Sequence, residues 1–231
     1  MILPKQKREN KNKLTSWSDY YSDRIDCFGG PDEYLKQKRV ASNFLFRYVR
    51  KHAPIGSKIV EAGCGSSINS VILNRQGYEV TAIDNDPGIL EIAKSLNRYF
   101  SGRVNYANVS LFDLPYKNDY FELAFSHGVL EHFEPAQIAQ MINECLRVAK
   151  RCVFSVPTFF CRSSTLRGDE NLWTYSKWRE IIKHTNGHLE EVGSSFIRLP
   201  FGGFLDSIFN GSLYHISPIL VMIISRKNEK R

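Results

Sequence analysis

The sequence lacks the features that mark disulfide-stapled, zinc-bound and membrane-spanning proteins. Its five cysteines are odd in number and include no Cys-x-x-Cys pair, which argues against a disulfide framework and a zinc site. No apolar run approaches the roughly 20 residues that a helix needs to cross a bilayer, and no apolar signal-peptide stretch follows the N-terminus. We therefore expect a cytoplasmic protein with free thiols, no metal site and no membrane span.

The body of the chain also lacks net charge. The formal charge of the 231 residues is +7, and the basic segments 1–13 and 226–231 account for all of it. A nucleic-acid groove more often makes the folded body itself basic. We therefore predict a flexible basic arm at residues 1–13 and do not expect a nucleic-acid partner.

Strand-like and helix-like apolar patterns alternate after residue 57. This alternation predicts an α/β protein with a mainly parallel sheet of seven strands and helices on both faces. The last connection has no clear crossover helix, and a parallel connection needs about a dozen residues or more, so we predict an antiparallel last strand. This domain would span residues 57–226, after an N-terminal lid and helix at residues 14–56. Proline and aspartate at its start predict that this helix runs unbroken from Pro31 to His52.

A glycine turn after the first predicted strand is the first candidate site. The stretch KIVEAGCGSS at residues 58–67 joins a buried strand to a helix through Gly63 and Gly65. Glycine permits a tight turn and the close approach of a ligand, and a helix start offers free N–H groups and the positive end of its dipole. A dinucleotide fingerprint would need a third glycine where the chain has Ile68. Taken alone, the stretch also fits a purely structural turn.

Aspartates follow two later strands, and ligands of open α/β sheets bind at the carboxyl ends of strands. Asp84 ends the second strand and can accept hydrogen bonds from both ribose hydroxyls, which would suit NAD equally well. Asp113 can accept a hydrogen bond from an adenine amino group, while the Leu114 N–H can donate to a ring nitrogen. Each aspartate has a structural alternative, because aspartate also caps loops and turns.

Together these motifs resemble the class I S-adenosylmethionine (SAM) methyltransferases, whose first motif runs [DE]-x-G-x-G-x-G. The stretch EAGCGSS matches it, with Ser67 in place of the last glycine. The run DLPYKNDYFELAFSHGVLEHF, which begins at Asp113, is similar to the second motif and to the segment after the fourth strand. It is most similar to the branch with ubiquinone-type, menaquinone-type and natural-product enzymes. The resemblance covers roughly Ile59 to Pro157 and implies a Rossmann-like fold with a reversed seventh strand.

The resemblance also implies that SAM is the cofactor and assigns contacts to it. The methionine end would lie at the glycine turn, the ribose at the second strand, and the adenine beside the second and third strand ends. The sulfonium would lie beside the backbone at the end of the fourth strand. The residues implied at the methionine end are Glu61, Gly63, Cys64 and Gly65, and the residue implied at the ribose is Asp84. Those implied at the adenine are Asn85, Asp113 and Leu114, and the one implied at the sulfonium is His127.

Three side chains after the fourth strand are candidates for proton transfer. The sulfonium is already a good leaving group, so alignment and desolvation can supply most of the acceleration. A base is needed only when the acceptor is a weakly acidic hydroxyl or carbon. The candidates are His127, Glu131 and His132, and the alternative is that they only pack or hydrogen-bond locally.

Aromatic residues are dense outside the common core. They concentrate in the lid and in the predicted substrate loops 158–173 and 199–212, which favours a mostly apolar or aromatic acceptor pocket. We single out Tyr21, Phe159 and Trp173 as candidate substrate contacts, while packing in the core is the alternative for each.

The sequence therefore predicts an enzyme, a SAM-dependent methyltransferase that acts on a small-molecule substrate as a monomer or homodimer. Two other hypotheses stay open. One is an RNA or protein methyltransferase that docks through the basic tails, and the neutral body disfavours it. The other is a non-catalytic SAM-fold subunit that binds a partner, and the complete set of Glu61, Asp84 and Asp113 disfavours it.

Overall fold

The structure is a computed structural model that describes residues 16–161, 166–195 and 217–227. The predicted basic arm 1–13 and the predicted substrate loop 199–212 lie outside the described residues. Residues 162–165 of the loop 158–173 also lie outside them.

The described strands form one sheet of seven, in the order β3-β2-β1-β4-β5-β7-β6. Neighbours from β3 through to β5 run parallel, whereas β7 lies antiparallel between β5 and β6. The predicted seven-stranded, mostly parallel sheet with an antiparallel last strand is confirmed. The strands are β1 (Lys58–Ala62), β2 (Glu79–Asp84), β3 (Asn105–Asn108), β4 (Phe121–His127), β5 (Ala149–Pro157), β6 (Gly187–Ser194) and β7 (Ile219–Arg226).

Helices cover both faces of the sheet. Side chains alternate along the strands, so that Ile59 and Leu123 enter one hydrophobic cluster while Val60 and Ala124 enter the other. Helices α2 to α5 pack into the first cluster, and α6 and α7 pack into the second. None of the described helices is long and apolar enough to span a bilayer. The helices are α1 (Trp17–Cys27), α2 (Pro31–Ala41), α3 (Asn43–His52), α4 (Ile68–Arg75), α5 (Pro87–Tyr99), α6 (Pro135–Val148) and α7 (Tyr175–Lys183).

The predicted single helix from Pro31 to His52 is wrong, because the chain breaks at Ser42 into α2 and α3. Ser42 is fully buried between them and lies outside the helical backbone region. Serine and asparagine compete for backbone hydrogen bonds, which weakens a helix at a Ser-Asn pair. Each half also buries its own apolar face, Tyr34 in α2 and Phe44 to Phe46 in α3.

Helix α1 forms the helical part of the predicted lid. It begins with a capping box, in which the Ser16 hydroxyl accepts from the Asp19 N–H and the Asp19 carboxylate accepts from the Ser16 N–H. The helix packs against α5 and α2. Tyr21 of this helix lies against Gly65, so α1 lies beside the carboxyl end of β1.

Candidate active site

The glycine turn after β1 is held to β2 by its backbone. The Gly63 and Cys64 N–H groups both donate to the Ile83 carbonyl, at 3.0 and 2.9 Å. Gly65 then bends the chain with a φ of 50°, and Ser67 has a φ of 58°. Ser67 occupies the position of the family's last glycine, and the backbone there keeps the left-handed conformation that glycine favours.

Both glycines are required by space as well as by conformation. A Cβ atom on Gly63 would lie 2.8 Å from a Val129 methyl group. A Cβ atom on Gly65 would overlap the hydroxyl of Tyr21, which the lid lays against the turn. Neither position therefore has room for a side chain, because Val129 and Tyr21 already lie against the backbone of the turn.

Glu61 lies behind the turn and not on the wall of the groove where we predicted it. Its carboxylate accepts hydrogen bonds from the Ser70 N–H at 3.1 Å, from the Ser70 hydroxyl at 2.5 Å and from the Asn69 amide at 3.4 Å. Burial raises the pKa of Glu61 to about 7. The first turn of α4 thus takes its oxygens, and the contact of Glu61 with the methionine end stays a prediction.

Asp84 ends β2 and faces the groove. One carboxylate oxygen accepts from the Gly65 N–H at 3.2 Å and the other from the Asp86 N–H at 3.1 Å. Burial raises the pKa of Asp84. Two carboxylate oxygens offer about four acceptor positions, so Asp84 can still accept from two hydroxyl groups of a ligand.

The groove in front of Asp84 has a volume of about 360 Å³. Carboxylates and an amide line one end, and apolar side chains from the loop after β3 and from the segment after β4 line the other. This pairing of polar and apolar walls suits a nucleoside, whose sugar is polar and whose base is flat. The lining residues are Trp17, Tyr21, Gly63, Gly65, Asp84, Asn85, Asp86, Ile89, Ser110, Leu111, Phe112, Gly128, Val129, His132 and Phe133.

Two of the residues predicted to contact the adenine do not line the groove. The Leu114 N–H donates to the Glu144 carboxylate at 2.7 Å, so it is not available to a base. Asp113 is exposed and outside the groove. Ser110 and Phe112 line the groove instead, because β3 ends at Asn108 and the chain passes the groove directly afterwards. A search of the residues that directly follow the end of β3 would have identified Ser110 and Phe112.

Cys64 also differs from its predicted role. Its side chain is buried and its thiol lies 3.6 Å from the Gly65 carbonyl, on the protein side of the turn. Asn85, in contrast, lies on the groove wall as the resemblance implied.

A second chamber adjoins the groove. Its volume is about 170 Å³, and it shares Trp17, Tyr21, Gly128 and His132 with the groove. The lid helices, the end of β4 and the end of β5 all contribute to its wall. The lining residues are Trp17, Tyr20, Tyr21, Arg24, Lys38, His127, Gly128, Glu131, His132, Ser155, Val156, Pro157, Cys161, Leu166, Arg167, Glu170 and Ile219.

His127 lies on the wall of this chamber, and its hydrogen bonds define its tautomer. The His127 Nδ1 atom lies 2.8 Å from the Ser155 Oγ atom, and the Ser155 hydroxyl donates to the Ser126 carbonyl at 3.1 Å. A hydroxyl has one proton to donate, so Ser155 accepts from His127 Nδ1–H. Burial, and then the charge of Lys38, lower the pKa of His127 to about 3. His127 is therefore neutral, and its Nε2 atom carries a free lone pair.

Glu131 and His132 follow in a short 3₁₀ turn. Burial raises the pKa of Glu131 to about 8, so its carboxyl group keeps its proton at neutral pH. His132 packs edge-on against Trp17, with ring centres 5.1 Å apart, and its Nδ1 atom lies 3.3 Å from the Asp169 carboxylate. Burial lowers the pKa of His132. The three candidates thus line one chamber, and His127 is the one whose hydrogen bonds leave a lone pair at Nε2.

Donor atoms of His132, Asp169 and Glu170 lie within 4.8 Å of one another, which is close enough to share a cation. The predicted absence of a metal stays a prediction.

Of the three predicted substrate residues, Tyr21 alone lines the chamber. It lines the groove as well, and burial raises the pKa of its phenol well above the usual value. Phe159 is 70% exposed and its ring packs edge-on against Phe160. Trp173 packs into the second hydrophobic cluster, with its ring centre 5.2 Å from that of Trp178. The structure therefore does not bring Phe159 and Trp173 to the chamber.

Several chamber residues were missed in the sequence. Ser155 lies near the end of β5, a position that ligand sites of open sheets use. Lys38 follows the buried Tyr34 by one helical turn, so the spacing placed it on the buried side of α2. No such spacing pointed to Arg24, because α1 has no fully buried side chain that would mark its inner face.

Known methyltransferases resemble this chain in sequence and in fold. Residues 59–151 match a family model described as a methyltransferase domain. The ubiquinone biosynthesis O-methyltransferase of Xylella fastidiosa is 32% identical over 152 residues, which cover 64% of this chain and 61% of that protein. The protein of the same name from Coxiella burnetii is 22% identical over 150 residues, which cover 64% and 62%. The chain thus spans about three fifths of the length of these curated relatives.

Among solved structures, the magnesium protoporphyrin IX methyltransferase of Synechocystis PCC 6803 with bound SAM has a TM-score of 0.63. Its sequence is 15% identical, and the match covers 94% of this chain and 100% of that chain. This likeness shows the fold. The sheet order and the groove at the strand ends define an α/β protein with an open groove at the carboxyl edge of its sheet. The match over residues 59–151 gives this part of the chain the sequence pattern of a methyltransferase domain.

Proposed function

We propose that this chain is an enzyme that transfers a methyl group from SAM to a small-molecule acceptor. The observation that carries the proposal is that the groove and the chamber adjoin, with Trp17, Tyr21, Gly128 and His132 common to both. Methyl transfer needs donor and acceptor side by side in a site that excludes water. The names of the relatives, ubiquinone biosynthesis O-methyltransferases, support a small acceptor.

The residues of the groove fit SAM. When bound, SAM supplies an electrophilic methyl group on a sulfonium. Asp84 would accept hydrogen bonds from its ribose hydroxyls, and the apolar wall at Leu111 and Phe112 would hold its adenine. Gly63 and Gly65 line the same groove and would let its methionine end approach the backbone.

His127 would accept the proton of an acceptor hydroxyl at Nε2. Its Nδ1 atom already bears a proton that it donates to Ser155, so the lone pair on Nε2 is the one available. Glu131 keeps its own proton at neutral pH and would donate a hydrogen bond rather than accept the proton. This assignment favours His127 over Glu131 as the base.

Ligand-induced thermal stabilisation tests the cofactor. S-adenosylhomocysteine should raise the melting temperature, because a ligand of the native state stabilises it by mass action. NADH should not, since Ile68 is buried where the dinucleotide fingerprint has its third glycine. Stabilisation by NADH alone would contradict the proposal.

Asp84→Ala gives a residue-level test by calorimetry. We expect it to weaken S-adenosylhomocysteine binding by about 1–3 kcal/mol, the usual cost of leaving polar groups without a partner. Asp113→Ala is the matched control, because Asp113 is exposed and outside the groove. It should change affinity by no more than about twofold. Equal effects of the two changes would place the ribose elsewhere.

A further inference from the structure

Two cationic side chains enter the acceptor chamber from the lid, Arg24 from α1 and Lys38 from α2. Arg24 donates to the Tyr20 hydroxyl at 3.0 Å, and its guanidinium lies 5.3 Å from the Tyr20 ring centre and 5.5 Å from that of Phe28. The Lys38 ammonium lies 5.8 Å from the Tyr34 ring centre. Aromatic rings therefore lie beside both charges, and the Tyr20 hydroxyl accepts from Arg24.

Across residues 16–161, 166–195 and 217–227, neither cation has a carboxylate oxygen within 4.0 Å. Lys36 of the same helix, in contrast, pairs with Glu33 at 3.2 Å. Burial and the nearby Arg24 charge lower the pKa of Lys38 to about 8, while Glu61 acts in the opposite sense. Burying a cation away from water without an ion-pair partner costs free energy.

The acids that face the chamber do not supply that partner. Glu131 keeps its proton at neutral pH. The two carboxylate oxygens of Glu170 accept from the backbone N–H groups of Arg167 and Gly168, at 2.7 and 2.8 Å. The lid end of the chamber is thus a positive pocket with aromatic walls.

We propose that the methyl acceptor is a small carboxylate-bearing molecule whose anion binds between Arg24 and Lys38. The inference rests on the proposed function, since it names the substrate class of the same chamber. Size supports it, because a cavity of about 150 Å³ holds a benzene-sized molecule and this chamber has about 170 Å³. Charge-assisted hydrogen bonds to a carboxylate are the strong kind, and Trp17 and Tyr20 offer flat walls to a ring.

Binding of the anion would also prepare the base. Lys38 lowers the pKa of His127 by its positive charge, and a carboxylate beside Lys38 offsets that charge. The proton affinity of His127 Nε2 then rises when the acceptor is in place. The part of the acceptor that faces His127 and Gly128 also faces the shared wall with the groove.

Calorimetric titration of the full-length chain with benzoate and with benzamide tests the inference. The two probes share size and ring and differ in charge. We expect benzoate to bind at least about tenfold tighter, a difference of about 1.4 kcal/mol. Lys38→Met keeps the length of the side chain and removes the charge, so it should bring benzoate down to the affinity of benzamide. Lys36→Met, on the exposed side of α2, should leave the preference intact.

Arg24→Gln is the second variant, and it should also reduce the preference for benzoate. It keeps the inference testable if Lys38→Met does not fold, which its melting curve will show. Equal affinity for the two probes, no binding of benzoate at millimolar concentration, or an unchanged preference in both variants would each overturn the inference.

Titration of the same samples with S-adenosylhomocysteine separates the two proposals. If the chain binds S-adenosylhomocysteine but shows no preference for benzoate, the carboxylate site is wrong and the proposed function stands. If it prefers benzoate but does not bind S-adenosylhomocysteine, the anion site is supported and the proposed function is wrong.

Discussion

At the scale of single residues, Glu61 couples stability to pH. Its pKa is about 7 in the folded chain, against 4.5 for an ordinary glutamate. Between these values the folded state binds more protons than the unfolded state, so the free energy of unfolding falls as pH rises from 4.5 to 7. Below pH 4.5 Glu61 is protonated in both states and costs no stability. Above pH 7 its ionisation lowers the free energy of unfolding by the full amount, on the order of 3 kcal/mol.

Glu61→Gln should remove this dependence, because the single amide oxygen of glutamine can accept the two Ser70 hydrogen bonds without titrating. We expect the melting temperature of the wild type, relative to the variant, to fall between pH 4.5 and 7 and to level off above it. Thermal melts across this range measure the effect. Parallel curves for the two proteins would show that Glu61 titrates normally.

The second residue-scale prediction concerns His127 and the serine that orients it. His127→Gln should lower kcat by about 100-fold or more if its Nε2 atom accepts the proton. Ser155→Ala should lower kcat by about two- to tenfold, the cost of one lost hydrogen bond, with the KM for SAM unchanged. Steady-state kinetics with an acceptor that the enzyme methylates measure kcat and the KM for SAM in both variants.

Ser126→Ala is the control for the loss of a serine hydroxyl. The Ser126 side chain has no partner among the described residues, whereas its backbone carbonyl accepts from Ser155 and is kept in the variant. Activity should therefore stay near that of the wild type. Full activity of the Ser155→Ala variant would contradict the proposal that Ser155 orients His127.

At the scale of elements, α1 is a lid that depends on its cap. None of its side chains is fully buried, so apolar burial stabilises it less than it stabilises the helices that pack into the core. The capping box between Ser16 and Asp19 satisfies two N–H groups at its start. The placement of Tyr21 against the glycine turn thus relies on a local structure of modest stability.

Ser16→Ala should loosen α1 without unfolding the rest. Loss of a serine N-cap costs about 1 kcal/mol, so amide hydrogen exchange in residues 17–27 should speed up by about fivefold. The melting temperature should change little. Ser22→Ala, in the exposed middle of the same helix, should not speed exchange. Uniformly faster exchange across the sheet would mean that the cap supports the whole fold.

At the scale of the whole molecule, the basic ends test the alternative of an RNA substrate. Deletion of residues 1–13 and 228–231 removes charge outside the described residues and keeps Lys227, whose N–H donates to the Asn186 carbonyl at 2.8 Å. For a small acceptor, activity should be nearly unchanged and show little salt dependence. For RNA, affinity would fall by about 10³ or more between 50 and 200 mM salt when several phosphates are contacted.

Methylation assays on the full-length and trimmed chains, at low and high salt, decide between the two. Loss of activity upon deletion, together with activity of the full chain at low salt only, would contradict the small-molecule proposal.

The sequence by itself determined the order of the elements, the glycine turn and the positions of Asp84 and His127. These follow from local rules, since strand and helix periods, glycine spacing and strand ends are written in consecutive residues. It did not reveal the break at Ser42, because periodicity alone runs through that position. It also did not place Ser110 and Phe112 on the groove wall, because their position there depends on where β3 ends.

Only the tertiary structure decided which polar groups meet in the acceptor chamber. Arg24 and Lys38 come from two lid helices, and Ser155 comes from a strand more than a hundred residues later. No local pattern relates residues so far apart in the chain. They share one chamber because α1 and α2 pack beside the carboxyl ends of β4 and β5. Glu61, by contrast, is held away from the groove by its hydrogen bonds to Ser70 at the start of α4.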